Sequence, residues 1–252
     1  MTNRWCSVAA ALLAVVLSSG CTAKTGGKAG PAPNMAPHAL TGPAINQAMI
    51  DSAALAKLLN QPFQTAPKYP EFGGSDKLGS AWESALPADC LGVVHMMQQG
   101  PYRPAPIQNM ASEMWAHNGA SVKVDDVYEG IVALPTAVDA NGLFAKFAAQ
   151  WKKCDGTTLT MPTSTVYGQA AISDVRVMDS VVAATISLGS GPHSILATIP
   201  QARALGVRGN CLVEVMVSFV PTAYPSDEGT GDLNTSAIDI AHTMMDKVTA
   251  LS

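Results

Sequence analysis

Residues 169–188 read QAAISDVRVMDSVVAATISL and residues 202–220 read ARALGVRGNCLVEVMVSFV, and the architecture of the chain follows from these two segments. Both are rich in Val and other residues that favour β-strands. Turn residues divide each of them: Asp179-Ser180 in the first and Arg208-Gly209-Asn210 in the second. The pattern predicts two successive hairpins. Their strands are expected over residues 170–178, 181–188, 204–207 and 211–220.

Shorter segments on both sides extend this β-region. Residues 107–117 and 122–134 are predicted to be two more strands, and the Asn118-Gly119 pair between them is typical of tight turns. Residues 157–161 and 194–199 add two short strands. Because the connections between successive strands are short, we expect the sheet to be mainly antiparallel.

Helical segments precede, interrupt and follow the strands. A capping-box pattern at residues 136–139 begins one helix, in which Phe144, Phe147 and Trp151 share a face. The other helices are predicted over residues 46–60, 86–97 and 234–251. This layout predicts an α+β fold, with a central, mainly antiparallel sheet packed with helices, in one domain over residues 46–252.

The N-terminus has the features of a bacterial lipoprotein signal. Arg4 precedes an apolar segment over residues 8–17, which is too short to span a bilayer and typical of a secretory signal peptide. The segment ends in Leu-Ser-Ser-Gly-Cys, which resembles a lipobox and makes Cys21 the expected lipidation site. We therefore predict a signal peptide over residues 1–20 and a flexible Gly/Pro/Ala tether over residues 21–45. The alternative is an ordinary secretory signal with a coincidental cysteine.

Composition excludes several classes of protein. Hydrophobic residues make up 48% of the 252-residue chain and charged residues only 13%, unlike a disordered chain. The formal net charge is −4 and no basic run occurs, so nucleic acid is not an expected partner. Beyond the signal segment, no apolar stretch reaches the roughly 18–20 residues that a membrane helix needs.

The cysteines predict one disulfide in the folded part. Cys6 lies in the signal segment and Cys21 is the lipidation site, which leaves Cys90, Cys154 and Cys211 in an oxidising compartment. Cys211 begins a strand with apolar residues on the same side and is expected to be buried. We therefore expect Cys90 to pair with Cys154. Whether Cys211 is an accessible thiol is left open.

The chain contains no recognisable catalytic or metal-binding motif. The histidines, His38, His95, His117, His193 and His242, are scattered without the spacing of a metal site, and no nucleophile elbow or phosphate loop occurs. Asp125-Asp126 is interpreted as a solvated acidic pair, and Asp174 with Arg176 as an exposed salt bridge, with an anion-binding cleft as the alternative. Trp82 and Trp115 are candidates for lining a pocket. We therefore predict a protein that is not an enzyme and that uses no cofactor and no metal.

Several segments together resemble one known family. LPADCLGVVHMM (86–97), NGLFAKFAAQWKKCDGTTLT (141–160), the two hairpins and the last helix are similar in order and spacing to the PknH-like extracellular sensor domain. The resemblance covers about residues 46–252, and it identifies the chain as a mycobacterial lipoprotein of this family.

The resemblance implies a central antiparallel sheet with helices and a ligand-binding cleft. It also implies two disulfides, of which the first corresponds to Cys90–Cys154. The second is absent here, because Thr198-Ile199-Pro200 stands where the family tends to carry a cysteine. No motif assigns the cleft residues.

We therefore expect a lipid-anchored protein on the extracytoplasmic face of the cell membrane, attached through Cys21. Its sensor-type domain is expected to bind a small molecule or a cell-wall-derived ligand without catalysis. The alternative is an envelope structural or protein–protein interaction module with no small-molecule ligand. A hydrolase with an unrecognised site is the third and least supported interpretation.

Overall fold

One nine-stranded sheet organises the described part of the chain, which in this computed structural model is residues 38–164, 166–191 and 195–252. The strands are β1 Phe63–Thr65, β2 Glu71–Gly73, β3 Asn109–His117, β4 Val124–Ala133, β5 Thr158–Thr160, β6 Gln169–Met178, β7 Val181–Gly189, β8 Ile199–Arg208 and β9 Cys211–Phe219. Their order is β1-β3-β4-β9-β8-β7-β6-β5, with β2 also pairing with β3. Every ladder between these strands is antiparallel. The predicted α+β fold with a mainly antiparallel sheet is confirmed.

Helices cover both faces of this sheet. They are α1 Ser52–Leu59, α2 Leu91–Val94, α3 Gln99–Tyr102, α4 Ala137–Cys154 and α5 Ser236–Leu251, with 3-10 turns at Gly42–Ala48, Ser75–Lys77 and Ala88–Cys90. Helix α4 packs on one face, here called the α4 face, and α5 packs on the other, the α5 face. Each face carries its own buried apolar cluster. Strand β8 contributes to both clusters, with Leu205 and Val207 on the α4 face and Ala202 and Ala204 on the α5 face.

Three local predictions are corrected by tertiary contacts. Residues 194–199 and 204–207 were expected to be separate strands, but residues 195–198 are not in a strand, and β8 runs without a break from Ile199 to Arg208 because it pairs continuously with β7. The expected helix over 86–97 is reduced to two short turns, since the carbonyl groups of Gly92 and Val93 accept hydrogen bonds from a buried arginine on β8. The expected helix over 46–60 is interrupted before Ser52.

The folded part begins earlier than the predicted boundary at residue 46. Leu40 and Ile45 are almost fully buried on the α5 face. The Asn210 side chain in the β8–β9 turn bonds both the N–H and the carbonyl of Leu40, at 2.8 and 2.9 Å. Residues 40–45 therefore belong to the domain and not to the tether. The predicted signal peptide (1–20), the lipidation site Cys21 and the tether up to residue 37 lie outside the described residues.

The predicted disulfide is present. Cys90 and Cys154 are bonded, with their Cα atoms 5.7 Å apart, and the bond joins the segment before α2 to the last residue of α4. Cys211 is a buried free thiol, as expected, and burial raises its pKa to about 12. None of the helices in the described ranges has the length and apolar character to cross a membrane.

Glu129 on β4 holds the N-terminal segment against the α5 face. Its buried carboxyl group accepts hydrogen bonds from the backbone N–H of Ile50, at 3.1 Å, and from Trp115 Nε1, at 3.0 Å. These bonds interrupt the helical path at residue 50. Burial raises the pKa of Glu129 to about 8, because the effect of burial is larger than the opposing effect of the two hydrogen bonds. The side chain is therefore mostly protonated in the folded protein at neutral pH.

This protonation predicts a pH-dependent stability that Glu129→Gln removes. Between the unfolded pKa of about 4.5 and the folded pKa of about 8, the native state holds a proton that the unfolded chain has released. The free energy of unfolding should therefore fall as pH rises through this window, by up to about 1.4 kcal/mol per pH unit. Glu129→Gln, which mimics the protonated acid, should lack this contribution, so its free energy of unfolding should decline less steeply than that of the wild-type protein over the same window. Urea unfolding at pH 5, 6, 7 and 8 measures it, and the same slope in both proteins would contradict it.

A candidate ligand site at the margin of the helix-covered face

The core beneath α4 is incompletely covered at one margin. Trp82, Tyr128, Leu188 and Met216 pack against the α4-face cluster but remain only partly buried. Tyr128 lies on β4, Met216 on β9 and Leu188 on β7, and Trp82 lies in the segment before the 3-10 turn at Ala88–Cys90. We call this region the open margin.

Two cross-strand rows form the floor of the open margin. In the first, Asp126 on β4 lies opposite Ser218 on β9, which lies opposite Gln201 on β8. In the second, Tyr128 lies opposite Met216, which lies opposite the fully buried Arg203 on β8. Directly opposed side chains on adjacent strands are about 4.5–5.5 Å apart, so each row is continuous. A polar row thus lies beside a row in which the two outer residues, Tyr128 and Met216, are half-buried.

Gln201 and Ser218 are linked and almost fully buried. Gln201 Nε2 donates to Ser218 Oγ at 3.1 Å, and the two residues are 6% and 3% exposed. Because Ser218 Oγ is the acceptor in this bond, its hydroxyl hydrogen is free to donate, and it bonds the carboxyl group of Asp126.

An aromatic pair forms one wall. The rings of Trp82 and His95 are stacked, with centroids 4.7 Å apart and an interplanar angle of 8°. His95 Nε2 lies 2.9 Å from the Sδ atom of Met161. Burial, and then the positive charge of Arg203, lower the pKa of His95 to about 4, so the imidazole is neutral at pH 7. This wall is therefore uncharged.

A second aromatic pair lies on the β3–β4 side. Tyr69 contacts the ring of Tyr128 edge-on, with centroids 5.5 Å apart. Burial raises the pKa of Tyr128 above its ordinary value, so its hydroxyl stays protonated and can donate a hydrogen bond. Tyrosines in this position combine an apolar ring with a polar end, as ligand sites commonly do.

A buried ion pair begins at the β8 position of the second row and fixes the wall segment. Arg203, opposite Met216 on β8, is fully buried, and its Nη2 lies 2.8 Å from Glu214 Oε2. Glu214 Oε1 accepts from Tyr102 Oη at 2.7 Å and from the N–H of Met97 at 3.1 Å. The Arg203 guanidinium also lies 5.4 Å from the ring centroid of Trp151. This network holds residues 91–102 against the sheet and so positions His95.

Asp126 departs from its interpretation as a solvated residue. It is largely buried, and its Oδ1 atom is covered without a hydrogen-bond partner, whereas Asp125 is exposed and lies 3.6 Å from His117. Burial raises the pKa of Asp126 to about 6. The hydrogen bond from Ser218 opposes this rise, the negative charge of Asp125 adds to it, and the electrostatic effect of His117 opposes it. The adjacent acids therefore occupy different environments, because successive residues of a strand point to opposite faces and Asp125 is the extra residue of a bulge between Val124 and Asp126.

The other residues singled out from the sequence lie away from the open margin. Arg176 Nε lies 3.3 Å from Asp174, as expected of a salt bridge. Trp151 is in the core, and Trp115 bonds Glu129 on the α5 face. Of the predicted pocket candidates, only Trp82 reaches the margin. In the described ranges no group of three or more His, Cys, Asp or Glu side chains could hold a metal ion.

A groove of about 510 Å³ lies beside the disulfide on the outer side of α4. Among its lining residues are Lys146 and Lys153, long side chains at the solvent-facing side of the helix. It lacks aromatic residues, so it is a weaker candidate than the open margin.

Comparison with known proteins finds a matching family model and similar solved structures. A model of the PknH-like extracellular domain matches residues 40–247. The crystal structure of the extracellular domain of PknH from Mycobacterium tuberculosis aligns with a TM-score of 0.67 and 19% identity, covering 84% of this chain and 98% of that one. An uncharacterized protein from Mycobacterium smegmatis aligns with a TM-score of 0.39 and 14% identity, over 82% and 96% of the two chains. Curated protein sequences give no match. The first structure shares the fold with this chain.

Proposed function

The chain belongs to the family of PknH-like extracellular domains, and from this premise we propose that it is a non-catalytic binding domain of the cell envelope. Its open margin takes a small molecule or a cell-wall-derived ligand. The observation that carries this proposal is the half-buried apolar row Tyr128–Met216 beside the polar row Asp126–Ser218–Gln201.

The composition of the open margin supports binding more than catalysis. Ligand sites are mostly apolar and carry a few fixed polar groups, which is the composition of these two rows and the aromatic pairs beside them. A hydrolytic site would need a nucleophile next to a base. Ser218 is bonded to Gln201, and the imidazole of His95 contacts a methionine sulfur. Neither pair activates a nucleophile.

Bound ligand should raise the thermal stability of the protein as isolated from a mycobacterial host. A ligand that binds only the native state stabilises it by mass action. We expect the isolated protein to melt several degrees above the same protein refolded from denaturant, which has lost its ligand. Met216→Trp, which fills the open margin, should abolish the difference, and Tyr224→Trp, in an exposed loop, should keep it. Equal melting temperatures for isolated and refolded wild-type protein would contradict the proposal.

We further propose that the protein is anchored by a lipid on Cys21. Two or three acyl chains, at about 0.8 kcal/mol per buried CH₂, hold a protein stably on a bilayer. Cys21→Ala should therefore move the protein from the membrane fraction to the culture medium or the wash fraction. Cys211→Ala, at a buried position, is the matched cysteine control and should stay with the membrane. Membrane retention of Cys21→Ala at the wild-type level would exclude the anchor.

An envelope interaction module is the second candidate function. Exposed apolar side chains in two neighbouring loops favour it, since Val166 is 48% and Ile195 101% exposed. Exposed apolar groups mark interaction sites when they are contiguous. Equal melting temperatures of the isolated and the refolded wild-type protein would favour this function over ligand binding.

A further inference from the structure

Two loops at one end of the sheet expose aliphatic side chains to solvent. Residues 161–168 connect β5 to β6 and residues 190–198 connect β7 to β8, so the antiparallel pairing places both loops at the same end. Val166 in the first loop is 48% exposed, and in the second loop Leu196 is 50% exposed and Ile195 is fully exposed. We call these three side chains the apolar tips.

The two loops form one corner of the domain. The Ser190 hydroxyl group donates a hydrogen bond to the carbonyl oxygen of Val166, which joins the loops directly. At their bases, Gln169 on β6 lies opposite Gly189 on β7. The apolar tips therefore project from neighbouring positions.

The sequence around the apolar tips carries almost no charge. Asp, Glu, Lys and Arg are absent from residues 156–173 and from residues 180–202, and His193 is the only histidine in these two stretches. Moving a charged side chain out of water is costly, whereas aliphatic side chains leave water readily. This corner can therefore enter an apolar phase without withdrawing an Asp, Glu, Lys or Arg side chain of these stretches from water.

The two ends of these strands differ in charge. At the opposite end, the β6–β7 turn carries Asp179 and the β8–β9 turn carries Arg208. At the end with the apolar tips, Lys123 and Glu228 lie beside β4, and β9 and β8 separate β4 from the loop that follows β7. The uncharged region is thus confined to the corner at β5–β8.

The lipid anchor proposed at Cys21 would bring a bilayer within reach of this corner. Leu40 is bonded to Asn210 at the β8–β9 turn, so the chain enters the domain one strand length away from the apolar tips. The ten residues of β8 span about 33 Å. Residues 22–37 can span up to about 55 Å when extended. The tether is therefore long enough for the apolar tips to meet the membrane.

A bilayer suits the apolar tips better than a protein surface does. Stable protein interfaces bury about 800 Å² on each partner over a complementary surface. The apolar tips are instead a few aliphatic side chains on loops. A bilayer accepts protrusions of any shape, and each CH₂ group that enters it adds affinity. Because the tips carry no charge, this affinity does not depend on anionic lipids.

We propose that the apolar tips insert into the bilayer to which the protein is anchored, so that Val166, Ile195 and Leu196 make a second membrane contact beside the lipid on Cys21. This inference goes beyond the proposed ligand-binding function and rests on the proposed anchor. The anchor keeps the domain at a high local concentration near the membrane, so a weak insertion is sufficient. It assigns the two loops to the membrane and not to an envelope protein.

Ile195→Cys and Val138→Cys are matched variants for a fluorescence test of insertion. Both positions are exposed, but Val138 lies in the first turn of α4, at the opposite end of the sheet. The full lipidated chain is labelled with a thiol-reactive nitrobenzoxadiazole probe and reconstituted in phosphatidylcholine vesicles that contain nitroxide-labelled lipid. The buried Cys211 should not react, so the probe reports on the introduced cysteine.

We expect the nitroxide lipid to quench the probe at position 195 and to leave the probe at position 138 fluorescent. Aqueous iodide should quench only the probe at 138. Adding Val166→Asp to the labelled Ile195→Cys protein should remove most of the lipid quenching, because the two loops enter together and a carboxylate opposes the transfer. Adding Val138→Asp instead should leave the quenching unchanged.

Equal access of iodide to positions 195 and 138 would overturn the inference. Protection of position 195 in the absence of vesicles would also overturn it, because a second copy of the chain would then cover the apolar tips. Mass spectrometry of the labelled variants separates this inference from the anchor, since a second label, on Cys21, would show that the anchor is absent. Lipid quenching at position 195 decides insertion in either case.

Discussion

Arg203→Met should lower the free energy of unfolding by about 3–5 kcal/mol, the usual cost of removing one partner from a buried ion pair. Glu214 would remain in the core as a charge without its cation, since the pair is 0% and 3% exposed. The substitution also removes the hydrogen bonds that the guanidinium donates to the carbonyl oxygens of Gly92, Val93 and Val215. Urea unfolding at pH 7 measures the loss.

The chain offers a matched control for this variant. Arg103 pairs with Glu83 at a similar distance, 2.9 Å, but both side chains are exposed. Arg103→Met should therefore change stability by no more than about 1 kcal/mol. Combining Arg203→Met with Glu214→Gln should recover part of the loss, because the buried charge is then gone. Similar effects of Arg203→Met and Arg103→Met would show that the network does not hold the wall segment.

Replacing both Cys90 and Cys154 by serine should lower the free energy of unfolding by about 4 kcal/mol. The bond closes a loop of 64 residues, and the chain-entropy treatment of such a loop gives a value of this size. Both cysteines are almost fully buried, so the serine hydroxyls add to the loss. The effect should appear in thermal and urea unfolding without reductant.

Two controls accompany the disulfide variant. Cys211→Ala keeps the bond, so its stability should still fall when dithiothreitol is added, whereas the double serine variant should not respond. A non-reducing peptide map of the wild-type protein should contain a fragment linking positions 90 and 154. In the folded protein Cys211 should resist alkylation, because its thiol is buried and its raised pKa keeps it protonated. A map without the linked fragment would contradict the pairing.

The architecture was predictable wherever local pattern and tertiary packing agree. The hairpin at Arg208-Gly209-Asn210 and helix α4 follow from turn chemistry, a Thr136 cap and a regular apolar face. The conformation of residues 86–97 was not predictable. Their apolar residues are spaced as in a helix, but hydrogen bonds from Arg203, 110 residues away in the chain, hold the segment in two short turns. The N-terminal boundary of the domain was predicted too late in the chain, because Leu40 is an isolated apolar residue in a Gly/Pro-rich stretch. Its hydrogen bonds with the side chain of Asn210 place it in the domain, and the sequence does not show them.

The candidate site was largely hidden in the sequence. Asp126, Tyr128, Met216 and Gln201 come from three strands and meet only through the sheet register, which is set by long-range pairing. One signal was available. Alternation along 122–134 places Asp126 and Tyr128 on one side of a strand. It also places Val124 on that side, whereas the bulge between Val124 and Asp126 turns Val124 to the α5 face, and a sequence does not show this bulge.

Native mass spectrometry of the folded protein isolated from a mycobacterial envelope extract tests the central claim most directly. If the open margin binds a small molecule, the native spectrum should contain an added mass that disappears on denaturation and is absent from Met216→Trp. A spectrum showing only the mass of the bare chain, from protein that was never unfolded during isolation, would contradict ligand binding.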